Sequence, residues 1–192
     1  MTEVAPATRM VAGVELPQAG IWMVDPGHAE VGFVGRHFML TKVRGRFTGV
    51  TGTVTVAEEP LESSVVVDID MGSVSSGDDT RDNHLKSADF FDVETNPRAT
   101  FRSISVNWDG GTSGSMTGDL TIKGVSHPVT LAIDYLGYVY DPWDNHRAVF
   151  SASGKVNRED WGLTWNMPLA RGGVLVSKEI DLVIEVELIK QA

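Results

Sequence analysis

Residues 80–101, TRDNHLKSADFFDVETNPRATF, form the longest segment of the chain that lacks the alternating pattern of a β-strand. Asp78 stands just before this segment and can cap a helix, where a carboxylate also interacts favourably with the positive end of the helix dipole. Asp82 and Lys86 have the spacing of an i,i+4 ion pair on one side of that helix. We therefore predict a short helical insert near residues 79–91 that lies over one end of a structure made of strands.

Strand patterns occupy most of the chain on both sides of this insert. In residues 64–71, SVVVDIDM, an apolar face that includes Ile69 alternates with a face that includes Asp70. Glycine-rich turns such as residues 109–111 separate strands of this kind. Many strands at short spacing and one brief helix predict an all-β fold, either a sandwich or a closed barrel, and barrel closure would remove exposed sheet edges. The periodicity does not distinguish a packed core from an open lumen.

Composition limits the classes of partner. The chain has 192 residues, with 16 Lys+Arg against 26 Asp+Glu and a formal net charge of −10. This balance argues against nucleic acid or an anionic membrane surface as the main partner, although it leaves room for a local basic patch. There is no cysteine, which excludes a disulfide, a thiolate nucleophile and a cysteine-ligated metal.

The N-terminal arm, residues 1–20, contains proline and glycine and is expected to be partly flexible. It lacks the pattern of a signal peptide, because Arg9 comes late and because Glu15 and Pro17 interrupt the apolar residues. No apolar run approaches the roughly 20 residues needed to span a bilayer, so we expect no stable membrane insertion. We predict a cytoplasmic protein, or a periplasmic or secreted one if a leader has been removed, with one domain at residues 21–190.

Four blocks of sequence, in matching order, resemble those of the YceI-like family. They are WxxDxxH from Trp22, RDxHLxSxDFFD from Arg81, GDLTIKGV from Gly118 and RxxWGL from Arg158. Agreement of several spaced blocks along most of the chain is far more specific than one short motif. The resemblance implies a lipocalin-like antiparallel barrel with an elongated apolar lumen. It also implies a long amphiphilic ligand, such as a polyisoprenoid, an isoprenoid quinone or a fatty acyl lipid, held for storage or transfer by a homodimer.

Residues that line such a lumen are expected to be apolar, because each buried CH₂ group contributes about 0.8 kcal/mol. Each candidate fits ordinary core packing equally well. The candidates are Phe33, Met39, Val67, Ile69, Phe101, Leu120, Ile122, Leu131 and Ile133. Phe90 and Phe91 follow the predicted helix and either plug one end of the lumen or anchor their loop. His84 either meets a ligand headgroup or, like Arg81 and Asp82, only braces the insert.

The sequence predicts neither a metal site nor a cofactor. The histidines show no HxH or HExxH spacing. No G-x-S-x-G, P-loop or dinucleotide-binding fingerprint is present. Asp68, Asp70, Glu185 and Glu187 alternate with apolar residues, which predicts that they lie on the outer face. The competing hypotheses are an isomerase or hydrolase that acts on a similar apolar substrate, with His84 or a buried carboxylate as base, and a β-sandwich interaction module with a packed core.

Overall fold

The structure is a computed structural model that describes residues 5–192. Its strands, in chain order, are β1 (Thr8–Val11), β2 (Val14–Pro17), β3 (Gly20–His37), β4 (Thr41–Phe47), β5 (Val50–Val56), β6 (Ser64–Asp70), β7 (Val74–Ser75), β8 (Arg98–Trp108), β9 (Ser113–Ile122), β10 (Val125–Tyr140), β11 (His146–Asn157) and β12 (Glu179–Lys190). Helix α1 (Asp79–Lys86) lies between β7 and β8. Short 3₁₀ helices span Pro60–Glu62, Met71–Ser73 and Arg158–Trp161.

Strand β3 closes the sheet into a barrel. One of its edges pairs with β12, while the other pairs first with β5 and then with β4, which together form one interrupted strand line. The remaining neighbours follow in the order β6, β8, β9, β10, β11 and β12. All of these pairings are antiparallel. The prediction of an all-β, antiparallel, lipocalin-like barrel is therefore confirmed, and the closed ring has eight strand positions.

Strand β10 shows how the sequence builds the barrel wall. Val129, Leu131 and Ile133 are buried or half-buried, whereas the intervening Thr130 and Ala132 are exposed. Successive side chains of a strand point to opposite faces of the sheet, so one set lines the lumen and the other meets water. Alternation in the sequence thus becomes an inner and an outer surface.

The N-terminal arm forms a β1–β2 hairpin beside one end of the barrel, which we call the hairpin end. Ala7 is buried against Trp22, and the Trp22 indole donates a hydrogen bond of 3.0 Å to the Gln18 carbonyl. The Arg9 guanidinium donates to the Glu58 carboxylate at 2.6 Å. This hairpin was not predicted from the sequence, and residues 1–4 of the arm lie outside the described residues.

Helix α1 lies at the opposite end, which we call the helix end, and it confirms the predicted helical insert. Asp78 caps it as expected, because its carboxylate accepts a hydrogen bond of 2.8 Å from the Arg81 N–H. The predicted Asp82–Lys86 ion pair is wrong. Asp82 is instead buried, and its carboxylate accepts hydrogen bonds from the backbone N–H and the hydroxyl of Ser76. A buried carboxylate must have hydrogen-bond donors. Asp82 therefore bonds to Ser76 inside the structure and does not pair with Lys86 on the surface.

Candidate ligand cavity in the barrel

The lumen of the barrel contains a cavity of about 600 Å³. Side chains from the inner faces of the strands line it, and most of them are Val, Ile, Leu, Met and Phe. Cavities that hold small ligands have this size and this mostly apolar lining. The structure therefore has an open lumen, which the strand periodicity alone left undecided.

Most of the candidate residues contribute to this cavity wall. The candidates that line it are Phe33, Val67, Ile69, His84, Phe90, Phe91, Phe101, Leu120, Ile122, Leu131 and Ile133. They come from strands on all sides of the barrel and from the insert, which the closed sheet brings around one axis. The structure thus places these residues together, and their contacts with a ligand stay a prediction.

Met39 is the exception, and its predicted place in the lumen is wrong. It lies in the turn between β3 and β4, its φ is +60°, and 50% of its surface is exposed. The alternation of β3 ends at His37, where the chain reverses direction. A residue in a turn no longer follows the inward and outward alternation of the strand, so Met39 points away from the barrel.

Aromatic side chains lie against the wall over glycines of the neighbouring strand. A β-carbon on Gly45 would lie 2.2 Å from Cζ of Phe33, and one on Gly118 would lie 2.4 Å from Cζ of Phe101. Such distances are impossible for real atoms, so these rings occupy the space of the missing side chains. The glycines keep the rings out of the centre of the lumen.

An aromatic cluster lies at the helix end of the cavity. The ring of His84 meets that of Trp165 edge-on at 4.5 Å between centroids, and Phe90 lies 5.4 Å from Trp165. The Nε2 atom of His84 is 2.9 Å from the Asp89 carboxylate. Phe91 meets Phe47 edge-on at 5.5 Å. The insert therefore supplies part of the cavity wall as well as a cover, and His84 combines a wall position with a carboxylate partner.

Arg158 is a buried cation in the wall at the helix end, with only 5% of its surface exposed. Its guanidinium donates to the backbone carbonyls of Ser177 and Leu163, while its Nη2 atom has no hydrogen-bond partner within residues 5–192. Burial lowers the pKa of this guanidinium. Sequence reasoning identified Arg158 only as part of a family block, because its burial depends on the fold of residues 162–178 around it.

Charged residues also cluster on the outside of the barrel, around Arg147. Its guanidinium contacts the carboxylates of Asp25 at 2.6 Å, Glu187 at 2.8 Å and Asp141. The hydrogen bond from Arg147 lowers the pKa of Asp25 to about 2. His28 lies close enough to Asp25 and Glu187 for the three to share a metal ion. A cation there would have to displace Arg147 from both carboxylates, so we interpret the cluster as an ion-pair network.

The four carboxylates considered as catalytic groups have different surroundings. Asp70 caps a 3₁₀ helix by accepting a hydrogen bond from the Gly72 N–H. Glu187 belongs to the Arg147 network, and Glu185 is exposed on β12. Asp68 is half-buried and lies opposite Thr51 and Thr100 in the sheet. The base candidate that lines the cavity beside a carboxylate partner is therefore His84.

Comparison with protein families shows one match that spans most of the barrel. The model of the YceI-like domain matches residues 22–188. Protein YceI of Escherichia coli is 39% identical over 165 residues, which cover 85% of this chain and 83% of that protein. A UPF0312 protein of Pseudomonas paraeruginosa is 37% identical over the same coverage.

Solved structures show the same barrel. A YCEI protein of Campylobacter jejuni has a TM-score of 0.69 at 30% identity and covers 82% of this chain and 90% of its own. BcnA of Burkholderia cenocepacia has a TM-score of 0.72 at 23% identity, with coverage of 85% and 98%. A polyisoprenoid binding domain from Saccharophagus degradans has a TM-score of 0.66 at 16% identity, with coverage of 91% and 100%. The last two likenesses concern the fold alone.

Proposed function

Because this chain belongs to the YceI-like family, we propose that it binds a long-chain amphiphilic lipid, a polyisoprenoid or an isoprenoid quinone, in the barrel cavity for storage or transfer. The open apolar lumen carries this proposal. A polyisoprenoid binding domain with the same barrel supports the choice of lipid class. The homodimer and the cytoplasmic location stay predictions from the sequence.

The free energy for binding comes from the apolar wall. At about 0.8 kcal/mol for each CH₂ group moved out of water, every prenyl unit contributes several kcal/mol. A chain without strong polar groups needs no matching donors along its length. Residues such as Val67, Leu131 and Ile133, which line the lumen, therefore suffice to bind it.

The charges at the helix end indicate how the ligand is oriented. Arg81, His84 and Arg158 line the cavity there, and Arg158 has an Nη2 atom without a hydrogen-bond partner among residues 5–192. The hairpin end contributes Arg9, whose guanidinium already contacts Glu58. The helix end therefore offers more nitrogen donors to an anionic or carbonyl-bearing headgroup than the hairpin end does, so we propose that the headgroup lies at the helix end and the tail toward the hairpin end.

The contact between His84 and Asp89 favours a second candidate function, an isomerase or hydrolase acting on the same kind of apolar substrate. A carboxylate that holds an imidazole in one orientation is a recurrent arrangement where histidine acts as a general base. His84 also lines the cavity, with its Nε2 atom 2.9 Å from the Asp89 carboxylate. On this hypothesis, incubation with a bound prenyl lipid releases a chemically altered product, and His84→Gln abolishes the change.

The binding proposal is tested by extracting the purified protein with organic solvent and identifying the bound lipid by mass spectrometry. A fluorescent prenyl probe is then titrated into the delipidated protein. Leu131→Trp places a bulky ring in the lumen and is expected to reduce uptake strongly. Ile104→Trp is the matched control, because Ile104 is 62% exposed. Absence of both lipid and uptake in the unmodified protein would refute the proposal, and unchanged uptake in Leu131→Trp would refute the assignment of the lumen.

A further inference from the structure

The turn that joins β3 to β4 has an unusual conformation for its residues. Phe38 and Met39 have φ values of +52° and +60°, and the Leu40 N–H donates to the His37 carbonyl at 3.0 Å. His37–Leu40 thus form a β-turn with two central residues of positive φ, and such positions favour Asn and Gly because a bulky side chain is strained in the left-handed region. Backbone strain of this kind often occurs at functional sites, so we looked for a function of this turn.

The same turn exposes large apolar side chains. Phe38, Met39 and Leu40 are 47%, 50% and 79% exposed. The Phe38 N–H donates to the Leu175 carbonyl at 2.8 Å, and the Leu175 N–H donates to the carbonyl of Met167, which is itself 53% exposed. Phe38, Met39 and Leu40 form an apolar tip of three consecutive exposed residues, and apolar side chains exposed together in this way mark an interaction surface.

The two segments that meet at the apolar tip are basic, although the whole chain is acidic. Residues 32–48 carry four Lys or Arg residues and residues 162–178 carry two, and neither segment contains Asp or Glu. Arg36 lies directly opposite Lys42 across the β3–β4 pair, and Arg44 follows on the same outer face. Like charges placed opposite each other destabilise a sheet unless an anion lies between or beside them.

These cations are available to an external partner. Arg36, Lys42 and Arg44 are exposed and have no carboxylate within 4.0 Å among the part of the chain that the structure describes. Arg46, by contrast, contacts Glu30, and Lys178 contacts Glu159. The surface therefore combines an apolar centre with a basic border, which is the composition of a segment that lies in the interface of an anionic bilayer.

We propose that the apolar tip docks the helix end of the barrel onto the surface of an anionic lipid bilayer. Phe38, Met39 and Leu40 enter the headgroup region, and Arg36, Lys42 and Arg44 contact lipid phosphates. A second copy of the chain fits this surface less well, because a symmetric contact would bring the two basic borders together. The acidic remainder of the chain is repelled by the same bilayer, which turns the helix end toward it.

Docking in this way would bring the cavity to the membrane. His37, Leu175 and Val176, which adjoin the tip, line the cavity. A lipid could then pass between bilayer and lumen without crossing water. This exchange rests on the proposed function, whereas binding to the bilayer does not.

The test measures co-sedimentation with phosphatidylcholine vesicles, with and without phosphatidylglycerol. Phe38→Asn combined with Met39→Gly removes the apolar side chains and suits the turn conformation, so the barrel stays folded. We expect the protein to bind the anionic vesicles and salt to weaken this binding. The turn variant is expected to bind the same vesicles at least about tenfold more weakly. Leu136→Asn, which removes an exposed apolar residue from β10, is the control and keeps full binding.

Three results would overturn the docking proposal. The first is that the parent protein does not bind anionic vesicles at low salt, and the second is that the turn variant binds them as well as the parent does. The third is that the parent protein is a dimer that binds no vesicles, while the turn variant is a monomer, which would make the tip a dimer contact. Uptake of a detergent-solubilised prenyl probe is measured in parallel. Normal uptake without vesicle binding refutes the docking alone, whereas vesicle binding without uptake refutes the proposed function alone.

Discussion

The ring of Phe33 occupies the space that a side chain on Gly45 would fill. The two residues face each other across β3 and β4, and a β-carbon on Gly45 would lie 2.2 Å from Cζ of Phe33. An aromatic residue that would otherwise project into the lumen is thereby laid along its wall. The cavity depends on such pairs as much as on the size of the barrel.

Gly45→Ala is therefore expected to push the Phe33 ring into the lumen. We predict weaker uptake of a prenyl probe and a loss of about 1–3 kcal/mol in the free energy of unfolding, the usual cost of overpacking. Uptake is measured by probe titration, and the free energy of unfolding is measured by urea denaturation. Adding Phe33→Leu is expected to restore uptake, while Gly27→Ala, where a β-carbon meets Asp25 Oδ1 at 3.4 Å, serves as control. Normal uptake by Gly45→Ala would contradict this view of the wall.

The Arg147 network makes the free energy of unfolding depend on pH between the ordinary pKa of an aspartate and the lowered pKa of Asp25. The pKa of Asp25 is lowered from 3.8 to about 2, mainly by its hydrogen bond to Arg147. A lowered pKa in the folded state means that the stabilisation is complete above pH 4 and is lost as the pH falls toward 2. We expect Asp25 to contribute about 1 kcal/mol after solvent screening.

This prediction is checked by urea denaturation at pH 5 and at pH 3. Asp25→Asn is expected to be less stable than the parent protein at pH 5 and to lose less stability between the two pH values. Glu59→Gln alters an exposed carboxylate and is the control, which keeps the parent's pH dependence. If Asp25→Asn and the parent protein lost the same free energy of unfolding between pH 5 and pH 3, the network would not be the cause of the pH dependence.

Trp161 stabilises the barrel through one buried hydrogen bond. Its indole N–H donates to the Leu120 carbonyl at 2.9 Å, and its ring is 3% exposed. Trp161→Phe removes this buried hydrogen bond, which we expect to cost about 1 kcal/mol in the free energy of unfolding. The matched change is Trp143→Phe, because Trp143 is 76% exposed. It is expected to fall within about 0.5 kcal/mol of the parent protein, and equal losses in both would argue against the hydrogen bond.

Arg158 is expected to select the headgroup rather than the chain. Its buried guanidinium lies in the cavity wall with one nitrogen free of partners among residues 5–192. We predict that Arg158→Gln reduces the preference for geranylgeranyl diphosphate over geranylgeraniol, measured as the ratio of the two dissociation constants. Stability is expected to change by only about 1 kcal/mol, since relief of the buried charge offsets the lost hydrogen bonds.

The control for that experiment is Arg98→Gln, which removes an exposed cation at the start of β8. It removes one positive charge, as Arg158→Gln does, but Arg98 does not line the cavity. The Arg158 assignment fails if both variants keep the parent's ratio, or if both reduce it equally, because a general charge effect would then explain the result.

Local patterns in the sequence were sufficient for the class of fold and for the insert. The alternation of Val129, Leu131 and Ile133 with exposed residues fixes which face of β10 is apolar, and Asp78 caps α1 as its position predicts. Both features depend on neighbours a few residues away, so the chain's own periodicity reveals them. The same reasoning assigned Met39 to the lumen, because it continued the strand pattern past the residue where the chain turns.

Contacts across strands could be decided only by the tertiary structure. Strand register brings Phe33 onto Gly45 and sets Arg36 opposite Lys42, and closure of β3 on β12 surrounds the cavity. The sequence alone determined that this chain forms strands with one apolar face each. Whether those faces meet in a packed core or enclose an open lumen depends on which residues lie opposite one another, and that is a property of the closed sheet.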